Sequence, residues 1–333
     1  MSAKVLLGLS GGVDSAVAAL LLREQGYEVM GLYLDNGFPG ADAARKAAED
    51  LGIPLTVRDT RADMEKYVCA PFCDGYLRGE TPNPCILCNP AVKFRILTEE
   101  ADRLGCEHIA TGHYAAIRDG ALYRGQTEND QSYMLCRLLP EQISRLLLPL
   151  GSYTKAQVRE LAAKAGLSSA QTPDSMEICF IPDGDYAAWI ERRGITPPPG
   201  DFVLDGQVVG QHRGIHHYTV GQGRHLGQGF GKKVWVSAID PEHDRVILSA
   251  DDSALRREAL HVRDVHWLEE PEGTAVSCGI RIRHSRGTMP MGTVFINGDE
   301  AFIAMTETVR APTPGQTAAF YDGDRLLGGG FID

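Results

Sequence analysis

The 333-residue chain has no apolar run long enough to span a bilayer, which excludes a helical membrane protein and predicts no membrane partner. Met1-Ser2-Ala3-Lys4 leads straight into an apolar segment without the layout of a signal peptide, so the expected compartment is the cytoplasm. In that setting the eight cysteines do not read as a secreted disulfide framework, and metal binding or thiol chemistry remain as their uses. Basic charge is also scarce. A net charge of −11 argues against nucleic acid as a partner, because phosphate binding draws on Lys and Arg. Totals conceal patches, however: Arg281, Arg283, His284 and Arg286 cluster near the C-terminus, and Arg213, Arg224, Lys232 and Lys233 precede them. Charge alone does not decide between an RNA-facing surface and a solvated face.

There are no clear repeats and no low-complexity tracts. What is present is a change of texture along a chain long enough for two or three domains. Over residues 1–195 strand and helix patterns alternate: strands at 28–34, 54–58 and 108–112, helices at 41–51, 92–104 and 155–165. Such alternation predicts an α/β domain with a parallel sheet, binding its ligands at the strand C-termini. Thr196-Pro197-Pro198-Pro199-Gly200 reads as a linker. Beyond it, short β-rich runs alternate with the hairpin-forming pairs Asp205-Gly206, Asn297-Gly298 and Asp322-Gly323. The expectation is a small β-rich module at 196–252 and a C-terminal β-barrel at 257–333.

No Gly-x-x-x-x-Gly-Lys-Ser/Thr run occurs. Instead Ser10-Gly11-Gly12-Val13-Asp14-Ser15 lies between the apolar Val5 to Leu9 and a helical pattern from Ala16. A buried strand that turns tightly on glycines into a helix N-terminus aims N–H groups at an anion. This run resembles the S-G-G-x-D-S motif of the PP-loop ATP pyrophosphatases, which split ATP into AMP and pyrophosphate in order to adenylate an oxygen. The resemblance implies that Gly8, Leu9, Ser10, Gly11, Gly12, Val13, Asp14 and Ser15 bind ATP phosphates, with Mg²⁺ shielding their charge.

Thr81-Pro82-Asn83-Pro84-Cys85-Ile86-Leu87-Cys88-Asn89 sets two cysteines at C-x-x-C spacing in what reads as a proline-stiffened loop, and Cys179 follows in Asp174-Ser175-Met176-Glu177-Ile178-Cys179-Phe180. Together with Gly112-His113-Tyr114, Asp130-Gln131-Ser132-Tyr133, Tyr218 to Gln222 and Thr313-Pro314-Gly315-Gln316, these segments resemble, in order over nearly the whole chain, the tRNA-specific 2-thiouridylases (the MnmA/TrmU family). The resemblance implies ATP-dependent replacement of the wobble uridine O2 by sulfur. The cysteine matching Cys179 would receive a persulfide from a sulfur-donor protein, and that matching Cys88 would act as nucleophile, closing a Cys88–Cys179 disulfide. Because the thiolate is the reactive form, both are expected in surroundings that lower their pKa.

The family match also implies that Leu34 faces the adenine and that Gly112 lies near the nucleotide. Asn83, Pro84 and Cys85 would face the target base, while His113, Asn129, Asp130, Gln131, Arg283, His284 and Gln316 would contact tRNA. One position departs: many relatives carry Asp where this chain has Cys85. That weakens carboxylate catalysis and places Cys85, Cys88 and Cys179 at one implied site, where three thiolates could instead hold a 4Fe-4S cluster with one iron open to sulfide. Relay and cluster both stand at this point. Cys69, Cys73, Cys106, Cys136 and Cys278 read as packing residues, and His212, His216 and His217 as loop or RNA-facing residues with no carboxylate cluster beside them. The competing functions are a PP-loop amidating ligase or synthetase, which has no need of the separated thiols, and a non-catalytic RNA-binding or sulfur-carrier protein, which has no need of an intact phosphate loop.

Overall fold

The computed structural model describes residues 2–126, 129–173, 178–283 and 288–333, which divide into two compact units. The first comprises Met1–Val68, Cys85–Phe180 and Asp322–Gly328. Its sheet carries β1 (Lys4–Gly8), β2 (Glu28–Asp35), β3 (Leu55–Asp59) and β4 (His108–Ala110). A hairpin of β5 (Ala115–Arg118) and β6 (Ala121–Arg124) precedes a last short sheet strand, β7 (Leu146–Leu147). The sheet order is β3-β2-β1-β4-β7, and the pairings are parallel. Val5, Leu6 and Leu7 are wholly buried, as a central strand covered on both faces requires.

The order reverses direction between β1 and β4, the switch point at which such sheets bind ligands. Three sequence-predicted positions gather at this edge: the Ser10–Ser15 turn after β1, Leu34 near the end of β2, and Gly112 just beyond β4. Helix α1 (Val13–Glu24) follows the turn and buries Val13, Ala16, Val17, Ala18, Leu21 and Leu22. Helix α2 (Ala41–Leu51) is amphipathic, buries Ala44, Ala47, Ala48 and Leu51, and stops at Gly52, whose φ of 61° is the left-handed cap glycine favours. The helix Lys155–Lys164 is opened by a reciprocal cap, in which Gln157 N donates to Thr154 Oγ1 at 3.3 Å and Thr154 N to Gln157 Oε1 at 2.8 Å.

The cysteine segment is not the stiff loop expected. Pro84–Cys88 is a helical turn that continues through a π-helical stretch, Asn89–Phe94, into the helix Arg95–Leu104. Proline initiates it because its fixed φ suits the first helical position, where an N–H would have no partner. Cys85 and Cys88, three residues apart, therefore share one helical face.

The second unit comprises Cys69–Pro84, Ile181–Tyr321 and Gly329–Asp333. In it β8 (Gly200–Leu204), β9 (Gln207–His212), β10 (Trp235–Asp240) and β11 (Arg245–Ser249) form a sheet of order β10-β11-β8-β9. Asp205 and Gly206 both take positive φ at its hairpin, as that pair favours. Phe202, Ile215, Tyr218, Val236, Val246 and Leu248 fill its core. His212 and His216 are also buried there, so neither is the RNA-facing residue expected. The chain then forms β12 (Arg256–Trp267), β13 (Ala275–Arg281), β14 (Met291–Asn297), β15 (Glu300–Arg310), β16 (Thr317–Asp322) and β17 (Arg325–Ile332). Their order β12-β15-β14-β13-β16-β17, with β12 also paired to β17, closes a six-strand barrel.

Candidate functional site

The loop after β1 is held in shape by its own hydroxyls. Ser15 Oγ donates to Gly12 O at 3.0 Å and lies 3.2 Å from Ser10 Oγ, while Ser10 N and Gly12 N donate to Ser15 Oγ and Ser10 Oγ at 3.2 and 3.3 Å. Gly11 has a φ of 85°, and a Cβ there would come within 2.5 Å of the Ala43 carbonyl carbon, so only glycine lets the loop pass the start of α2. Gly112 is tied in the same way: its Cβ would lie 2.9 Å from both Asp14 C and Ser15 N. Leu9 is buried and donates its N–H to Leu32 O at 2.8 Å, and Leu34 is half-buried at the same edge.

Two residues here escaped the sequence reading. Lys155 Nζ contacts both Asp14 carboxyl oxygens, and Tyr114 Oη donates to Asp14 Oδ1 at 2.6 Å. Tyr114 lay inside a quoted motif without a role; Lys155 had no signal, because only the fold brings residue 155 to residue 14. The combination of a glycine turn, helix N–H groups and an ammonium suits a polyphosphate.

The three thiols of the same unit sit within electrostatic reach of one another and of Lys93. Cys85 and Cys179 are exposed and Cys88 is half-buried, and none is in a disulfide. Asn36 Nδ2 lies 3.9 Å from Cys179 Sγ, and Cys88 Sγ lies 3.9 Å from Met64 Sδ. The expectation of lowered pKa values is overturned. Surrounding protein desolvates all three, exposed surface notwithstanding, and burial pushes Cys88 up to about 12, with the neighbouring Cys179 and Cys85 adding to it. Cys179 is raised by burial and by Cys85, and Cys85 by burial alone. Lys93 opposes the rise at each, and its backbone N–H also favours the Cys88 thiolate. The thiols are therefore protonated near neutrality, and ionisation has to be supplied by what binds there.

The sulfurs test the metal alternatives. A single tetrahedral zinc would bring its thiolates to about 3.8 Å of one another. Among the described residues the cysteines form no group whose ligand atoms all fall within 4.8 Å. A cluster holds its thiolates farther apart than one ion does, and Cys85, Cys88 and Cys179 are three sulfur donors of the kind it takes.

The positions expected to meet tRNA are placed unevenly. Asp130 is wholly buried: its Oδ1 accepts from Gly125 N and Ser132 N, both at 3.0 Å, and Arg124 Nε lies 3.5 Å from Oδ2. It braces a turn rather than facing a ligand. Gln131 Oε1 accepts from Tyr114 N at 3.1 Å, and Asn129 is half-buried. His113 is buried, pairs through Nδ1 with Thr111 Oγ1 at 2.7 Å and stacks on Phe94; burial and then Lys93 hold it well below the usual histidine value. In the second unit Asn83 is half-buried, Pro84 is buried, and Gln316 Nε2 donates to Thr81 O at 2.5 Å, fastening the segment that leads to them. Arg283 is exposed, Arg281 is buried, and His284 and Asp174 to Glu177 lie outside the described residues.

Comparison with known proteins accords with this arrangement. Family profiles described as a tRNA methyl transferase HUP domain, a tRNA methyl transferase PRC-barrel domain and an aminomethyltransferase beta-barrel domain match residues 3–183, 190–250 and 257–332. A tRNA-specific 2-thiouridylase MnmA from Carboxydothermus hydrogenoformans is 42% identical across 99% of this chain and 97% of its own length. The chain belongs to the MnmA family of tRNA-specific 2-thiouridylases. The MnmA of Syntrophotalea carbinolica is also 42% identical, over 98% of each chain. Among solved structures, a U34-tRNA thiolase from Methanococcus maripaludis with its [4Fe-4S] cluster aligns at a TM-score of 0.38 and 22% identity over 57% of this chain and 66% of that one, too slight a likeness to carry an argument.

Proposed function

We propose that this ATP-dependent tRNA-uridine 2-sulfurtransferase adenylates O2 of the wobble uridine at the Ser10–Ser15 loop and delivers sulfur through Cys179 and Cys88. The carrying observation is the shared placement of the thiols: Cys85, Cys88 and Cys179 lie around Lys93, in the unit that also holds the self-braced loop.

The uridine O2 is a poor leaving group. Attack of O2 on the α-phosphorus expels pyrophosphate and converts that oxygen into part of AMP. Ser10 to Ser15 and Lys155 orient the phosphates, and as Lys155 turns to them Asp14 would offer its carboxylate to a Mg²⁺ ion that shields their charge. Cys179 carries a persulfide supplied by a sulfur-donor protein. Its terminal sulfur bonds to C2, and AMP departs with the former O2. The Cys88 thiolate then attacks the Cys179 sulfur, breaking the S–S bond, releasing 2-thiouridine and forming a Cys88–Cys179 disulfide that a dithiol reductant must reopen. Lys93 stabilises the thiolates that burial disfavours. Asn83 and Pro84 would flank the base, and Arg283, His284 and Gln316 would meet tRNA. Were a cluster bound to the three thiols, it would supply an open iron for hydrosulfide. On this reading the chain works in three parts, 1–195 for catalysis, 196–252 as a connecting module and 257–333 for the RNA.

The test uses Cys88→Ser and Cys179→Ser with stoichiometric tRNA. Each should release pyrophosphate and yield adenylated tRNA without 2-thiouridine. Normal thiolation by either variant would sink the assignment.

A further inference from the structure

The sequence places His216 and His217 beside each other with no carboxylate near them in the chain, but the fold supplies one. Glu191, on the helix Tyr186–Arg192, brings its Oε1 to 3.2 Å from His216 Nε2 and 3.0 Å from His217 Nε2. All three belong to the second unit, and their ligand atoms lie within 4.8 Å of one another. With metal–ligand bonds near 2 Å, neighbouring ligands of a tetrahedral zinc stand about 3.3 Å apart. The two measured edges are already close to that.

The hydrogen bonds leave one buried ring nitrogen unsatisfied. A neutral imidazole that donates to this carboxyl oxygen carries its proton on Nε2, which makes Nδ1 an acceptor; His216 Nδ1 is buried and has no partner. A cation on Nε2 moves the proton to Nδ1 and turns that atom into a donor. Residue 214 is glycine, and a Cβ there would lie 2.7 Å from His216 Nδ1, so the glycine leaves that atom unobstructed.

We propose that Glu191 Oε1, His216 Nε2 and His217 Nε2 bind one zinc-class divalent cation that fastens the helix Tyr186–Arg192 to the turn Ile215–His217. Two imidazoles and a carboxylate are a borderline donor set suited to zinc rather than to magnesium or calcium. Three protein ligands leave a fourth position for water or an anion, and Glu191, with 39% of its side chain exposed, is the entry point. Arg213 is a cation near His217 that opposes added positive charge there, so an anion in the fourth position is favoured over a neutral ligand.

The test separates this site from the thiols. Full-length protein carrying Cys85→Ser, Cys88→Ser and Cys179→Ser, stripped with a chelator, is titrated with cobalt(II) and then zinc. The expected result is one equivalent of cobalt with d–d bands and no thiolate charge-transfer band, displaced by zinc and accompanied by a rise in Tm. Adding Glu191→Gln or His217→Gln should remove that equivalent. Absence of stoichiometric binding in the triple variant, or unchanged binding after Glu191→Gln, overturns the proposal. Should His217→Gln fail to fold, the half-exposed Glu191 variant decides it.

Discussion

Lys155 Nζ meets both carboxyl oxygens of Asp14, at 2.8 and 2.7 Å, across 141 residues of sequence. Both side chains are partly shielded from solvent, and Tyr114 Oη shares Oδ1 with the ammonium. Without ATP, Asp14 therefore holds in place a positive charge that a triphosphate can use. Asp14→Ala should abolish pyrophosphate release, and Lys155→Ala should slow it by about 10²-fold, the usual cost of removing one preorganised electrostatic partner. Affinity for tRNA should stay unchanged in both. Pyrophosphate release at the parental rate in Asp14→Ala would refute the assignment of the loop.

How much of this was legible in the sequence follows from which interactions are local. Ser10 to Ser15 could be read because the turn, its glycines and the helix start are contiguous, and the Asp205-Gly206 hairpin because two residues decide it. The cysteine helix was missed because Pro82 and Pro84 read as stiffeners of a loop, although Pro84 also initiates a helix. Lys155, Lys93 and Glu191 were invisible as site residues because each acquires its neighbours only when distant segments pack. The pKa direction was misjudged for a related reason. Reactive thiolates were expected from the chemistry, but desolvation of the surrounding cluster is a property of packing and outweighs Lys93.

The raised Cys88 thiol makes a pH prediction. Its native value is near 12, against about 8.5 in an unfolded chain. Between those values the unfolded chain sheds a proton that the native state keeps, so this group's contribution to stability is complete below about pH 8.5 and falls as pH rises toward 12. Alkylation of Cys88 by iodoacetamide, followed by mass spectrometry, should be slow at pH 7 and accelerate continuously into the alkaline range. Lys93→Ala should slow it further, since a cation that favours the thiolate is lost. A plateau of fast labelling below pH 8 would contradict the desolvated site.

Arg283 supplies a salt-dependence test. The chain is acidic overall, so binding of tRNA has to rest on local basic surface rather than on total charge. Affinity should fall steeply between low and moderate salt, and Arg283→Ala should both weaken binding and reduce the slope by about one phosphate contact. Affinity that does not change with salt would remove the C-terminal region from the RNA interface.

Cys85 separates the two sulfur chemistries. In the relay, Cys85 neither carries nor releases sulfur; only its thiolate form would raise Cys179. Cys85→Asp should therefore leave thiolation by a persulfide donor intact, with the iron content of anaerobically purified protein having no bearing on the rate. A three-thiol cluster makes the opposite demand, because a carboxylate is a harder and weaker ligand for such iron than a thiolate. Loss of iron together with loss of sulfide-dependent thiolation in this single variant would overturn the relay. The complementary measurement is thiolation by rigorously iron-free parental protein supplied with a persulfide donor. Full activity there, alongside an active Cys85→Asp variant, leaves Cys88 and Cys179 as a sulfur relay whose ionisation Lys93 favours and the bound substrates must complete.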